Sequence, residues 1–548
     1  MHSELERARP ESGLRDTRAS TACRNHVSGR EAICDGNRNE RRSATRLLAK
    51  GAFFPLACAL VLPTAAVAQL DGVRSHIIQI LQSEDVPSIA VAVAKNGEIL
   101  WEEGFGWANQ ANGVRASAHV MYPLASVTKP LTATGLMVLS HRGLIDLDRP
   151  VNEYLGTPAL EARVGDAAGI TARRLANHTA GLPDHIQLFY EDEPVRAPPT
   201  DALIRDYGFT ANLRGSRPWY SNLNFGVLGH LISRVANVGF ADFMREEVFL
   251  PLGMTHTAIG ARPGMDSIRA VRYVRGGPWP DYETDTPGAT DGYSSAHDLL
   301  SFVLYHMKRP GANQSAILSD EAIDLMQRPT GEAYGVSWEV ERVAKGRLRV
   351  GHNGGLPGVT TRLAMYPEED LAVVVLANVN TNLLEVERMI VDALLTGDPP
   401  ETPDDLREEP TPEEPARAAP VPEVPDERLV GAWRGHVEVR DTSWPIRLDI
   451  RADGEVRLLI QEPATRYMGG EMWTLLNRVS FGDGRRLWGF ALPGNWTSVP
   501  HRKAFFRRLD LTLGADVLYG WLSLYESSVH TSRSDTLLSY WVTLAREE

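Results

Sequence analysis

Hydrophobic positions recur at two different periods along this chain, and the change of period divides it. From Leu70 to Gln82 the apolar residues Leu70, Val73, Ile77 and Ile80 fall three and four apart, which predicts an amphipathic helix. Ile89 to Ala94 is a short apolar run read as a buried strand, Lys95-Asn-Gly-Glu98 as a turn, and Ile99 to Trp107 as a second strand. Asn-Gly between two apolar runs is a hairpin signal, so the sheet is predicted to begin antiparallel. An apolar helix is predicted to start within Tyr122-Pro-Leu-Ala-Ser-Val-Thr-Lys129 and to run past Leu139, with a turn at Gly143 to Pro150. Residues 171 to 310 read mostly as helices and loops. Strands return at Arg347 to Val350, Thr361 to Tyr366 and Leu371 to Ala377, followed by an amphipathic helix from Leu383 to Leu395. Strands at both ends with helices between predict an α/β domain over residues 69–397. It has one antiparallel sheet closed by both ends of the segment, flanked by helices and carrying an inserted helical region.

The period then changes to two. Eight segments alternate apolar and polar positions: Val437 to Arg440, Pro445 to Arg451, Val456 to Ile460, Met472 to Phe481, Leu487 to Leu492, Ala504 to Leu513, Val517 to Tyr525 and Leu537 to Leu544. Turn residues at Asp453-Gly454 and Gly482-Asp-Gly484 separate neighbours. This predicts a separate all-β domain, an up-and-down antiparallel barrel over residues 428–548. Between the two domains, residues 398–427 hold nine prolines, eleven acidic residues and two arginines. Such a stretch cannot bury a core and is expected to be an extended acidic tether.

The first 45 residues are polar, mixed in charge and without period, and are expected to be disordered or absent from the mature protein, as after a misplaced start. Residues 46–68 are basic at Arg46 and Lys50, apolar from Ala52 to Val67, and end in Ala66-Val-Ala68, the pattern of a cleavable secretory signal. The apolar run is short and broken by Pro55 and Pro63, so no stable membrane span is expected. A periplasmic or secreted location follows. The three cysteines, Cys23, Cys34 and Cys58, all precede the cleavage site, which excludes disulfides, thiolate catalysis and a cysteine-based zinc site from the mature chain.

Charge adds little. The formal net charge is −13, and the tether alone contributes −9, eleven acidic residues against two arginines. What remains is ordinary for a soluble protein and gives no case for nucleic acid binding.

The chemistry concentrates at Ser126 and Lys129. Three residues apart at a helix start, they share a face. A serine hydroxyl needs a base, and a lysine serves only if it is held neutral, which burial beside the positive end of a helix favours. The chain has only six lysines among 57 basic residues. Where a plain positive charge suffices it uses arginine, so a lysine kept in an apolar helix start points to a position where losing a proton matters.

With these residues the chain resembles the serine β-lactamase and penicillin-binding-protein family, in the branch of class C β-lactamases, DD-peptidases, D-aminopeptidases and related esterases. Besides Ser126-Val-Thr-Lys129, the stretches that carry the resemblance are Gly143-Leu-Ile-Asp-Leu-Asp148, Ile170 to Asp184, Tyr220-Ser-Asn222, Leu250-Pro-Leu-Gly-Met254 and His352-Asn-Gly354, in the family's order. The resemblance implies that Tyr220 shares the base role with Lys129 and hands a proton to the leaving group, a role a phenol of lowered pKa beside an ammonium could fill. It implies that Asn222 holds the substrate and Lys129, and that His352, Asn353, Gly354 and Gly355 line the substrate. The N–H groups of Ser126 and Gly355 would form an oxyanion hole. Gly431-Ala-Trp433 resembles the start of the lipocalin-like domains that follow some of these hydrolases, where the barrel is either an inert appendix or a lid or wall-docking module.

No cofactor is expected and no metal, since His178 and His185 have the wrong spacing for a helical pair. Gly292-Tyr-Ser-Ser-Ala296 looks like a nucleophile elbow but lacks a parallel βαβ setting and reads instead as the cap of a helix. The expected function is that of an exported serine hydrolase working through an acyl-enzyme on Ser126, an esterase or an amidase or peptidase. Its partners are small ester, amide or peptide substrates, peptidoglycan fragments among them. The alternatives are a penicillin-binding or wall-binding protein with little turnover, a true β-lactamase, and an unrelated hydrolase centred on Ser294. Members that cleave β-lactams carry lysine and a hydroxyl residue where this chain has His352 and Asn353. A substrate carboxylate is therefore expected to bind poorly unless Arg362 or another arginine supplies the charge.

Overall fold

The computed structural model describes residues 69–210, 218–262, 264–274, 277–330, 333–396, 425–439, 442–461, 473–482, 486–491, 502–528 and 534–547. The N-terminal extension, the signal segment, the tether as far as residue 424 and the turn around residue 483 lie outside them.

Helix α1 (Asp71–Ser83) leads into strands β1 (Ser88–Lys95) and β2 (Glu98–Asn109), which pair antiparallel. Between them Asn96 and Gly97 have φ of +56° and +78°. Both central residues of a tight hairpin turn need that left-handed backbone, which asparagine and glycine adopt most readily. A short strand β3 (Val114–Arg115) edges β2. The chain then passes through α2 (Thr128–His141), α3 (Asn222–Ala236) and α4 (Ala296–His306). It returns as β4 (Glu339–Arg342), β5 (Leu348–Leu356), β6 (Val359–Tyr366) and β7 (Leu371–Ala377), and ends this domain in α5 (Leu384–Leu395). The seven-stranded sheet has the order β4-β5-β6-β7-β1-β2-β3, so the late strand β7 lies beside the early strand β1.

Alternation along each strand sorts the core into two layers. Ile89, Val91 and Val93 of β1, with Val373 and Val375 of β7, pack on Val73 and Ile77 of α1 and Val386 and Ile390 of α5. The opposite face, Ala90, Ala92, Val374 and Leu376, packs towards Leu299, Phe302 and Val303 of α4 and Leu136 of α2. The same alternation in β5 sends Val350, His352 and Gly354 to the face that carries α2. Arg349 and Asn353 go to the face that carries α5, where Arg349 Nε donates to Glu387 at 2.9 Å.

The second domain is a closed barrel of strands β8 (Gly431–Val439), β9 (Thr442–Ile450), β10 (Val456–Ile460), β11 (Thr474–Gly482), β12 (Arg486–Ala491), β13 (Arg502–Leu513), β14 (Val517–Ser528) and β15 (Ser534–Arg546). Neighbours in sequence are neighbours in space, and β15 closes on β8. Trp433, Val437, Trp444, Ile446, Leu448, Val456 and Leu458 are buried, as the period of two requires. The barrel is docked on the first domain. Ile186 and Leu537 exchange backbone hydrogen bonds at 3.0 and 2.7 Å. Among the described residues no helix is long and apolar enough to cross a membrane.

Candidate active site

Ser126 sits in a single 3₁₀ turn, Ala125–Val127, that runs straight into α2. Ala125 has φ of +48°, a left-handed backbone that disfavours any side chain and turns the chain sharply just before the nucleophile candidate. Pro130 falls in the first turn of α2, where its missing N–H leaves nothing unpaired.

Lys129 is wholly buried. Its Nζ lies 3.0 Å from Ser126 Oγ, 2.7 Å from Asn222 Oδ1 and 3.2 Å from Ala289 O. Burial pulls its pKa down from 10.5 to about 7, against the opposing pull of Asp184 and Glu339. The three oxygens match the three hydrogens of an ammonium, and an amine that has lost one keeps its bonds to Asn222 and Ala289 and turns its lone pair to Ser126.

Tyr220 donates from its hydroxyl to Ser126 Oγ at 2.7 Å. The expectation of a lowered phenol pKa is corrected here: burial raises it well above its ordinary value, only partly opposed by the bond to Ser126 and reinforced by Asp184, Tyr334 and Glu339. Lys129 Nζ lies over the Tyr220 ring, 4.8 Å from its centroid. It is not at the hydroxyl, where it would have favoured phenolate. The Tyr220 hydroxyl is therefore protonated and able to donate, and Lys129 is the better acceptor of the two.

Asn222 begins α3, with Ser221 as the cap whose Oγ accepts from Asn224 N. Asp184 Oδ1 accepts from both Asn222 N at 2.8 Å and Asn222 Nδ2 at 3.1 Å, which leaves the amide oxygen turned to Lys129. His178 supports the same turn. Its Nδ1 accepts from Ser221 N at 3.2 Å, its carbonyl from Trp219 N at 2.6 Å, and its ring packs 4.6 Å from that of Tyr220.

Strand β5 forms the opposite wall. Its pairing with β4 ends at Gly351, so from His352 to Leu356 one edge of the strand is not paired with β4. Gly354 passes so close to the nucleophile turn that a Cβ there would lie 2.3 Å from Leu124 O, 2.2 Å from Thr361 Oγ1 and 3.2 Å from Ser126 N. Gly355 is exposed, with open space where a Cβ would point. His352 is buried, and burial together with Lys129 lowers its pKa to about 3. Its Nδ1 lies 2.8 Å from Asn353 O, a bond that places the proton on Nδ1 and leaves the buried Nε2 as an acceptor with no protein partner.

The Asn353 amide is already engaged: its Oδ1 accepts from Arg349 at 3.0 Å and its Nδ2 donates to Glu339 at 3.3 Å. The arginines nearby are engaged as well. Arg349 and Arg362 both bond the buried Glu387, and Arg349 also meets Glu341.

Elsewhere, Ser294 is fully buried and bonded to Thr257, and Ser295 caps α4 by accepting from Asp298 N, so that segment is a helix cap. His185 is bonded to Asp285 at 2.7 Å. Among the described residues, Glu102, His119 and His297 bring ligand atoms within 4.8 Å of one another and could hold a metal ion. His297 is committed there to a hydrogen bond with Glu102, which raises its pKa and favours the protonated ring.

An antiparallel sheet between helical layers, with a serine, a buried lysine and a tyrosine converging on one oxygen, defines a serine acyl-transfer enzyme class. The model of the beta-lactamase family matches residues 73–397, and the chain belongs to that family, within the superfamily of serine β-lactamases and penicillin-binding proteins. It is 27% identical over 348 residues to a penicillin-binding protein of Bacillus subtilis, covering 57% of this chain and 73% of that one. It is 24% identical over 326 residues to the protein flp of Staphylococcus aureus, of which it spans 63%. In fold it is similar to the octameric penicillin-binding protein homologue from Pyrococcus abyssi, with a TM-score of 0.52, 20% identity, and coverage of 86% of this chain and 99% of that one. It is also similar to a beta-lactamase/D-alanine carboxypeptidase from Pseudomonas syringae, with a TM-score of 0.50, 20% identity, and coverage of 60% and 99%.

Asp184, Glu339 and the Ala289 carbonyl were not singled out by sequence, and His178 was weighed there only as a metal ligand. Asp184 closes the Ile170 to Asp184 stretch, so its place was marked but its hold on Asn222 was not.

Proposed function

We propose that this protein is an exported hydrolase that cleaves small esters or amides through an acyl-enzyme on Ser126. The observation that carries the reading is the fit of Lys129 Nζ between Asn222 Oδ1, Ala289 O and Ser126 Oγ. Neutral Lys129 takes the Ser126 proton as Oγ attacks the substrate carbonyl. The new oxyanion is held by the N–H groups of Ser126 and Gly355. Tyr220, protonated, gives its proton to the departing alcohol or amine, and the proton on Lys129 returns to Tyr220 by way of the site. Water then repeats the sequence on the acyl-enzyme, releasing the acid and restoring Ser126.

The substrate preference follows from charge. With His352 neutral and Arg349 and Arg362 each bonded to carboxylates, these three residues offer a substrate carboxylate no free cation. Its desolvation would cost about 1–3 kcal/mol, or roughly ten- to a hundredfold in kcat/KM. Efficient turnover of p-nitrophenyl esters and D-amino-acid amides, with slow turnover of a chromogenic cephalosporin, is the expected result. A cephalosporin kcat/KM above that of neutral esters would refute it. A penicillin-binding or wall-binding protein with little turnover would instead form a cephalosporin adduct that persists while esters are left uncleaved. Export rests on the sequence of residues 46–68, and N-terminal sequencing of the secreted chain tests it by showing whether it starts at Gln69.

A further inference from the structure

The barrel meets the first domain through the Arg163–Glu438 ion pair and the Tyr207–Tyr540 and Phe209–Trp541 ring contacts, and at two further places it touches segments that hold active-site residues. The first is the loop from Pro183 to Gln187. Besides the paired bonds between Ile186 and Leu537, Ser539 Oγ of β15 donates to the Asp184 carbonyl at 2.6 Å. Ser539 is fully buried and is braced from behind by Ser523 of β14 at 2.8 Å. Asp184 is the residue whose carboxylate fixes Asn222, and Asn222 in turn contacts Lys129.

The second place is Trp219, the residue before Tyr220. Its ring meets Trp521 of β14 edge to face, with centroids 5.1 Å apart at 79°. Arg486 of β12 lies 4.3 Å from the same ring centroid and Arg508 of β13 lies 5.2 Å from it. Both arginines are anchored from within the barrel by Asp510, at 2.9 and 3.4 Å. Trp521 is buried, and the contact continues through Phe209 and Trp541 at 5.9 Å. Trp219 N is also bonded to His178, so its backbone and its ring are held from opposite sides.

We infer that the barrel is a working wall of the active site, with Trp521 and Ser539 as positioning residues that hold Tyr220 and Asn222 against Ser126 and Lys129. Tyr220 sits in an irregular segment just before α3, and such a segment alone does not fix a side chain to the tolerance that proton transfer needs. A displacement of about 1 Å at such a residue costs on the order of a hundredfold in rate. Edge-to-face aromatic packing and cation–π contacts on the neighbouring residue supply that restraint.

The inference rests on Ser126 as the nucleophile, and the test separates the two. Full-length protein carrying Trp521→Ala should lose about tenfold in kcat for p-nitrophenyl acetate with KM within about twofold, and Trp521→Phe should recover most of it by keeping an aromatic edge against Trp219. Ser539→Ala removes one oxygen and should lower kcat about threefold, with Ser539→Thr closer to wild type; it decides the matter if Trp521→Ala does not fold. A kcat within twofold of wild type in the folded alanine variants would overturn the inference, as would equal loss in the alanine and the conservative variants. A wild type that neither turns over esters nor labels on Ser126 is a different result and fails the Ser126 reading instead.

Discussion

The pKa of Lys129 is the quantity on which the chemistry turns, and two perturbations measure it. A lysine of ordinary pKa 10.5 would be neutral in roughly three molecules in ten thousand at pH 7. Burial brings this one to about 7. About half the enzyme then holds a neutral base, a gain of about a thousandfold that corresponds to roughly 4 kcal/mol of differential solvation. Below pH 7 kcat/KM for a neutral ester should fall about tenfold per pH unit, and above about pH 8 it should be flat until another group titrates. Because Glu339 raises the Lys129 pKa, Glu339→Gln should move the acid limb to lower pH. Lys129→Arg keeps the charge but puts in a group that cannot become neutral, and should cost at least about a thousandfold. The assay is release of p-nitrophenol from pH 5 to 9, read as kcat/KM so that the free enzyme is reported. A profile flat from pH 5.5 to 9, or an arginine variant within tenfold of wild type, would refute the proton-acceptor role and leave Lys129 an electrostatic one.

Gly354→Ala should be nearly inactive while still folded. Its Cβ would fall 2.3 Å from the Leu124 carbonyl, so β5 or the nucleophile turn must shift, at about 1–3 kcal/mol of stability, and a kcat/KM within threefold of wild type would contradict the close approach. His306, buried with a pKa near 3, must be charged in the unfolded chain below pH 6.5. Its share of stability is therefore present above pH 6.5 and is lost as pH falls towards 3. In urea titrations His306→Gln should shrink the stability lost between pH 7 and 5 by about 2 kcal/mol, and an unchanged difference would count against a neutral buried imidazole. Buried carboxylates with raised pKa such as Asp291 act in the opposite direction, so only this comparison between variants isolates the histidine.

Much of this was legible because it is written in period and spacing. The apolar run Ile89 to Ala94 marked a buried strand, and Asn96-Gly97 marked its turn. Ser126 and Lys129 announced themselves by sharing a helix face and by the scarcity of lysine. Ser295 read correctly as a cap. The rest depended on distances across the chain that no local pattern encodes. The phenol pKa of Tyr220 was expected to fall beside an ammonium and rises, because Lys129 is over the ring and is itself half neutral, so burial wins. The engagement of Asn353 by Arg349 and Glu339 required knowing which face of β5 each residue takes and where β4 ends. The left-handed Ala125 carries no signal, since alanine is not a residue that favours that backbone. An acidic, proline-rich tether suggests a loosely hung barrel, and nothing in its composition reports the docking through Trp219, Trp521 and Ser539.

The central claim is that Ser126 becomes acylated. The most direct test is intact-protein mass after brief reaction with a fluorophosphonate, with the adduct located by peptide mapping. One adduct per chain on Ser126 is expected, unchanged in Ser294→Ala and absent in Ser126→Ala together with ester hydrolysis. An adduct on any other residue, or undiminished hydrolysis by Ser126→Ala, would contradict the account.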